Sequence, residues 1–174
     1  MSLTTLDIKE PGLNVLPPGV ERHVVNAGGL TGLQIFPDDE IEIINDEGNQ
    51  ICEIVCFNKD GKSELGILSL KENNKYDFIK KILNSKDESS LATNYQLKKR
   101  NLDIKLSKSA IVFDIDTPSG ERIKLKSKDK SYVIFAAPQN NMLISEQNPS
   151  SDLTIFIKRS KIKKEKELAV IPDP

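Results

Sequence analysis

A chain of 174 residues, 37% apolar and 29% charged, has the length for one domain or two small ones and for a core that needs no disulfide staples. Its formal net charge of −1 excludes a global field that would draw in nucleic acid or an anionic membrane, and two cysteines without framework spacing point to free thiols in a reducing compartment. No apolar run approaches the roughly 18 residues of a membrane-spanning helix, and the N-terminus lacks the basic start and apolar stretch of a signal peptide, so the expected location is the cytoplasm.

The first forty residues carry Pro11-Gly12, Pro17-Pro18-Gly19, Gly28-Gly29, Gly32 and Pro37, which break any helical period and leave room for short extended pieces. Residues 1–32 are therefore expected to be a Pro/Gly-rich arm. The glycines of 26–32 miss the G-x-G-x-x-G spacing and open no helix, which argues against a phosphate cradle. His23, the sole histidine, has no nucleophile elbow beside it and no partner set for zinc, so no catalytic role is assigned to it.

From residue 33 the pattern changes to short runs rich in Ile, Val and Phe, at 33–36, 40–44, 51–57, 65–70, 104–106, 109–115, 122–126, 132–136, 142–145 and 153–157. Bounded by Gly, Pro, Asn, Asp and Ser, these read as strands. They predict a mainly β domain over 33–157, a β-sandwich or distorted β-barrel built from two groups of strands. Between the groups, Tyr76, Ile79 and Leu83 with Phe78 and Ile82 form the stripe of one amphipathic helix near 74–84, capped by Asn73-Asn74 and ended at Asn84-Ser85. The polar stretch to about 101 reads as loop, with room for a short helix over 94–99.

Acids cluster at 38–47 and bases at 158–166, each a solvated run or a binding patch. The basic run lacks interleaved aromatics, which argues against nucleic acid. Residues 158–174 read as a basic tail and Pro-containing linker, as if the chain were cut from something longer.

Both cysteines lie in 51–57. Extended backbone sends Cys52, Ile54 and Cys56 to one face and Ile51, Glu53, Val55 and Phe57 to the other. Four residues of strand separate the two Cα atoms by about 13 Å, beyond the roughly 7 Å limit for a disulfide, so the thiols read as core groups. Glu53 is the more informative residue: on a buried face its carboxyl needs a partner or a raised pKa.

A second polar knot, Asp114-Ile115-Asp116-Thr117-Pro118-Ser119-Gly120, has the composition of a turn. Asp114 and Asp116, alternating on a strand, are the other reading, as paired carboxylates facing a cation.

Asn45, Glu47, Gly48, Gln50 and Glu53 resemble the signature of the urea-carboxylase-associated family, a strand entering a D-x-E-G-x-Q turn followed by an acidic residue; Asn45 and Glu53 stand where that pattern has aspartate. Asp116-Thr117-Pro118-Ser119-Gly120 is similar to the family's later D-T-x-G stretch. The likeness covers roughly residues 20–157. It implies the fold and a ligand-binding set of Gln50, Glu53, Asp116 and Thr117, without catalytic residues. The family's metal-binding His-Asp and downstream cysteine are replaced here by Glu121 and Arg122 with no cysteine after Cys56, so no metal ligands are carried over.

Residues 10–19 and the ending Ile171-Pro172-Asp173-Pro174 also resemble the leading module of long bacterial demethylases, which continue into a metal domain and a folate-binding aminomethyltransferase domain like the glycine-cleavage T-protein. That likeness implies a non-catalytic N-terminal module of an enzyme acting on methylated amines. Tetrahydrofolate and a metal ion would belong to the parent protein, with no cofactor in this segment. Its expected partners are neighbouring domains of the same polypeptide, with a homo-oligomer left open, and neither nucleic acid nor membrane. The alternative is a free-standing ligand-binding or enzymatic β-barrel that uses Gln50, Glu53 and Asp116.

Overall fold

The computed structural model describes residues 16–73, 77–139 and 150–160. Eight strands, β1 (Val20–Val25), β2 (Leu30–Ile35), β3 (Glu40–Asn45), β4 (Cys52–Asn58), β5 (Ser109–Phe113), β6 (Glu121–Lys126), β7 (Ser131–Ala136) and β8 (Leu153–Lys158), make two antiparallel four-stranded sheets. The orders are β1-β8-β3-β6 and β2-β7-β4-β5. Successive strands alternate between the sheets except at β4 and β5, the order of a jelly roll. Of the two architectures expected, the sandwich is the one formed.

The sheets differ in how they are covered. Ile41 and Ile43 of β3, Leu153, Ile155 and Ile157 of β8, and Cys52, Ile54 and Cys56 of β4 meet in the core between them. In the first sheet the alternate residues turn outward, as in Glu40 and Glu42, giving the two-residue period of a half-buried strand. β7 (SYVIFA) is buried at every position, because its other face lies under two helices. Helix α1 (Phe78–Leu83) and helix α2 (Glu88–Lys99) close a second apolar cluster with Leu30, Val55, Phe57, Tyr132 and Ile134. A fully sandwiched sheet reads as a continuous apolar run.

Several expectations are corrected. Residues 65–70 form a 3-10 helix, Leu65–Leu68, whose Leu65, Ile67 and Leu68 enter the core; a short apolar run does not specify its own period. Ile104–Leu106 is likewise a 3-10 turn, started by the Asp103 carboxylate accepting the Lys105 amide. Within the stretch read as an arm, 20–25 is strand β1 and β2 begins at Leu30. The later helix reaches back from 94–99 to Glu88. Asn73 does not cap α1: its side-chain oxygen accepts the Ile111 amide at 2.6 Å and its amide group donates to the Ile111 carbonyl at 3.2 Å, mimicking a strand partner for β5. The expected strand at 142–145 lies outside the described residues, as do 161–174 of the tail.

The acidic run is more than a solvated face. Asp39 is 1% exposed and accepts from Arg159 Nη1 at 2.7 Å, from the Phe36 amide at 2.9 Å and from the Ser160 amide at 2.9 Å. Arg159 also grips Glu21 through Nε at 2.9 Å and Nη2 at 3.0 Å. His23 contacts the same Glu21 carboxylate at 3.0 Å, which places the lone histidine at the edge of this ion network.

Candidate functional site

The two stretches that carry the family resemblance are about seventy positions apart in sequence and touch in space. At the end of β3 the chain turns through Gly48 and Asn49, both with positive φ (79° and 59°). A Cβ on Gly48 would lie 2.6 Å from the Ser119 nitrogen and 2.9 Å from the Thr117 oxygen, so only glycine lets the turns close on each other. The Asn49 amide donates to the Thr117 carbonyl at 2.7 Å, the Gly120 amide to the Asn45 carbonyl at 2.8 Å, and Ser119 Oγ to the Asp46 carbonyl at 2.9 Å. Asp46 in turn accepts from Thr154 Oγ1 on β8 at 2.6 Å.

Gln50 sits inside this joint with no exposed surface. Its Nε2 donates to the Ile51 and Pro138 carbonyls, each at 2.9 Å, and its Oε1 accepts the Ser151 amide at 2.8 Å. One side chain thereby ties the entry to β4, the exit of β7 and the approach to β8. Asn45, equally buried, donates to the Gln50 carbonyl at 2.7 Å, while its Oδ1 has no hydrogen-bond partner.

Asp114 and Asp116 follow the end of β5 and belong to a turn, not to a strand presenting paired carboxylates. Asp114 Oδ1 accepts the Asp116 amide at 2.9 Å, and the Asp114 amide donates to Thr117 Oγ1 at 3.0 Å. Thr117 is 8% exposed, whereas Asp116 faces solvent. Both border an open cleft of about 420 Å³ together with Asp114, Glu121 and Arg122. Arg122 occupies a position where the resembling family has metal-binding residues, and it is a cation paired with Glu42 at 3.2 Å. The residues at that place therefore do not fit a metal. Among the described residues, no group of three His, Cys, Asp or Glu side chains could hold an ion.

Glu53 lies elsewhere, on the helix-covered face of the second sheet with Val55 and Phe57. The β4–β5 register shifts between Cys52, opposite Phe113, and Glu53, opposite Ile111. The fully buried carboxylate accepts the Ile79 amide of α1 at 2.5 Å and Ser109 Oγ of β5 at 2.9 Å. Burial pushes its pKa up against the opposing effect of the Ile79, Ser109 and Phe78 hydrogen bonds, and nearby Asp77 adds to the rise.

The four expected ligand-binding residues thus divide into three places: Gln50 and Thr117 inside the joint, Asp116 on its open cleft, and Glu53 beneath α1. Cys52 and Cys56 are free and buried on the interior face with Ile54, as strand geometry requires. Burial raises both thiols, Cys56 to about 12. Sequence reasoning missed Asn45 as a joint residue and missed the Asp39–Arg159 pair, whose partners lie 120 positions apart with no local signal.

No family model matches the chain. It is 32% identical over 167 residues, 96% of its length, to trimethylamine-oxide aldolase of Ruegeria pomeroyi (strain ATCC 700808 / DSM 15171 / DSS-3), and spans 21% of that protein. Among solved structures, a DUF1989 family protein from Silicibacter pomeroyi DSS-3 superposes with a TM-score of 0.50 at 10% identity, over 83% of this chain and 81% of that one, a likeness of fold alone. The chain is a homologue of about a fifth of trimethylamine-oxide aldolase, on a fold shared with a DUF1989 protein.

Proposed function

We propose that the chain is the non-catalytic N-terminal β module of a longer, folate-linked aminomethyltransferase or demethylase that acts on methylated amines in the cytoplasm. The observation that carries this reading is the match itself: nearly all of this chain aligns with a small part of a much longer relative whose name states an activity on trimethylamine oxide. The side chains agree with a structural role. Gln50 and Glu53 direct their polar atoms at the protein's own backbone and at Ser109. In the described residues no helix is long and apolar enough to cross a membrane. On this reading tetrahydrofolate and a metal ion are held by other parts of the parent protein.

The test is to express the complete polypeptide that the gene encodes and the 174-residue chain in parallel, with trimethylamine N-oxide and tetrahydrofolate supplied. Consumption of the N-oxide by the complete polypeptide and none by the 174-residue chain is expected. Turnover by the 174-residue chain alone overturns the reading in favour of a free-standing β-sandwich enzyme, and a reading frame closed after Pro174 overturns it outright.

A further inference from the structure

Helix α2 turns two hydroxyl residues inward and two large apolar side chains outward. The residues it buries are Ser90 (0% exposed), Thr93 (4%) and Leu97 (4%), while Leu91 stands 58% and Tyr95 63% exposed. The inward hydroxyl of Ser90 has a purpose, since it donates to the Ile82 carbonyl at 2.7 Å and meets Ser85 Oγ at 2.9 Å, locking α2 to α1. Among the described residues the outward pair has none. Leu91 and Tyr95 are four residues apart, so their side chains are neighbours on one face, with exposed Ala92 beside them. Helix α1 shows the ordinary arrangement, with Phe78, Ile79, Ile82 and Leu83 inward and Lys81 in solvent.

We infer that the Leu91–Ala92–Tyr95 face of α2 is where this module docks the remainder of its longer polypeptide, an inference that rests on the module reading above. Three observations select that occupant. The curated relative is nearly five times longer than the matched segment, so a large mass of polypeptide accompanies this fold there. The last described strand is also linked to the end of α2 through one residue: Gln34 accepts Arg100 Nη1, from the α2 C-cap, on its side-chain oxygen at 2.7 Å and Arg159 Nη1 on its backbone oxygen at 2.9 Å. At 1.5 Å per residue, Tyr95 lies about 8 Å and Leu91 about 14 Å along the helix from Arg100.

Charge gives the third selection. Lys98, Lys99 and Arg100 close α2, and Lys59 and Lys130 border the adjoining cleft of about 260 Å³, where Asp60 is the one acid among the described lining residues. The surface presented is a small apolar centre with the acid Glu88 at the start of the helix and the bases Lys98 and Lys99 at its end. Its complement on the adjoining polypeptide is an apolar patch whose carboxylates lie toward the C-terminal end of α2, the arrangement of an interface core within a polar rim.

Hydroxyl-radical footprinting of the 174-residue chain and of the complete polypeptide tests this. Tyr95 and Leu91 are expected to be oxidised freely in the chain and roughly tenfold less in the complete polypeptide, because interface cores are dry. The double variant Leu91→Ser/Tyr95→Ser should keep the melting temperature of the 174-residue chain, while in the complete polypeptide a protease should cut the junction faster. Equal oxidation in both forms overturns the inference. Protection already present in the 174-residue chain and lost on dilution assigns the face to a second copy and overturns it as well. The outcomes separate the two readings: a complete polypeptide that consumes trimethylamine N-oxide with Tyr95 still reactive defeats the docking inference alone. One that protects Tyr95 without consuming the N-oxide defeats the substrate assignment alone. A reading frame that ends at Pro174 defeats both.

Discussion

The carboxylate of Glu53 accepts the backbone amide of Ile79 at 2.5 Å, joining the second sheet to the first turn of α1. Glu53→Ala would leave that amide and Ser109 Oγ without a partner in a fully buried place, at a cost of about 1–3 kcal/mol for each orphaned group. We expect a loss of about 3 kcal/mol in urea unfolding for Glu53→Ala and roughly a third of that for Glu53→Gln, which keeps one acceptor oxygen. Equal stabilities for the alanine variant and the wild type would remove Glu53 from this role.

Burial raises the Glu53 pKa, so the folded chain holds its proton to higher pH than the unfolded chain does. The stabilisation from that difference is complete below the unfolded carboxylate value, about 4.3, and is lost as pH rises through the folded value. Wild-type stability should therefore fall relative to Glu53→Gln as pH is raised across that window. Urea unfolding of both proteins at a series of pH values reads the difference directly. A difference that grows in favour of wild type with rising pH would contradict the assignment.

Gly48→Ala should cost about 2 kcal/mol or more, because it forces a side chain into a left-handed backbone conformation and a Cβ against the Ser119 nitrogen. Gly66→Ala is the matched control: no atom lies within 4 Å of the new Cβ and the backbone there is not left-handed, so its melting temperature should stay within a few degrees of wild type. If both variants melt alike, the turn-on-turn contact is not the reason for glycine at 48.

Arg159→Met should destabilise by roughly 3 kcal/mol, since it strips the guanidinium from Asp39, which is nearly inaccessible to water. Arg159→Lys should recover less than half of that loss, because an ammonium cannot reproduce the fork that holds Glu21 and Asp39 together. Thermal melts of the three proteins decide this. Full recovery by lysine would show that charge alone is what Asp39 needs.

Cys52 and Cys56 should resist thiol reagents in the folded chain at pH 8 and react at once in denaturant, since burial disfavours both thiolates. Labelling kinetics followed by mass spectrometry check this. Rapid labelling of either thiol under native conditions would show that β4 opens far more readily than a core strand should.

The amino-acid sequence by itself determined the strands whose outward positions meet water. In β3 the alternation of Ile41 and Ile43 with Glu40 and Glu42 is visible in the residues, because an extended chain turns each successive side chain to the opposite face. The same geometry put Cys52 and Cys56 on one face and separated them from Glu53. The nature of α2 was invisible: two of its three inward positions are the hydroxyl residues Ser90 and Thr93, Leu97 is the one apolar residue among them, and Leu91 and Tyr95 stand outward, so no apolar stripe faces the core. Apolar runs such as 65–70 carry no period of their own, and only packing against the core made that one a 3-10 helix. Tertiary structure alone decided what the motif residues do. Asn49 and Thr117 meet only once β3 and β5 have brought two distant turns together, and Glu53 finds its partners only under α1. Long-range contacts of that kind have no imprint in neighbouring residues, because chain closure over dozens of positions joins groups whose local sequences are independent.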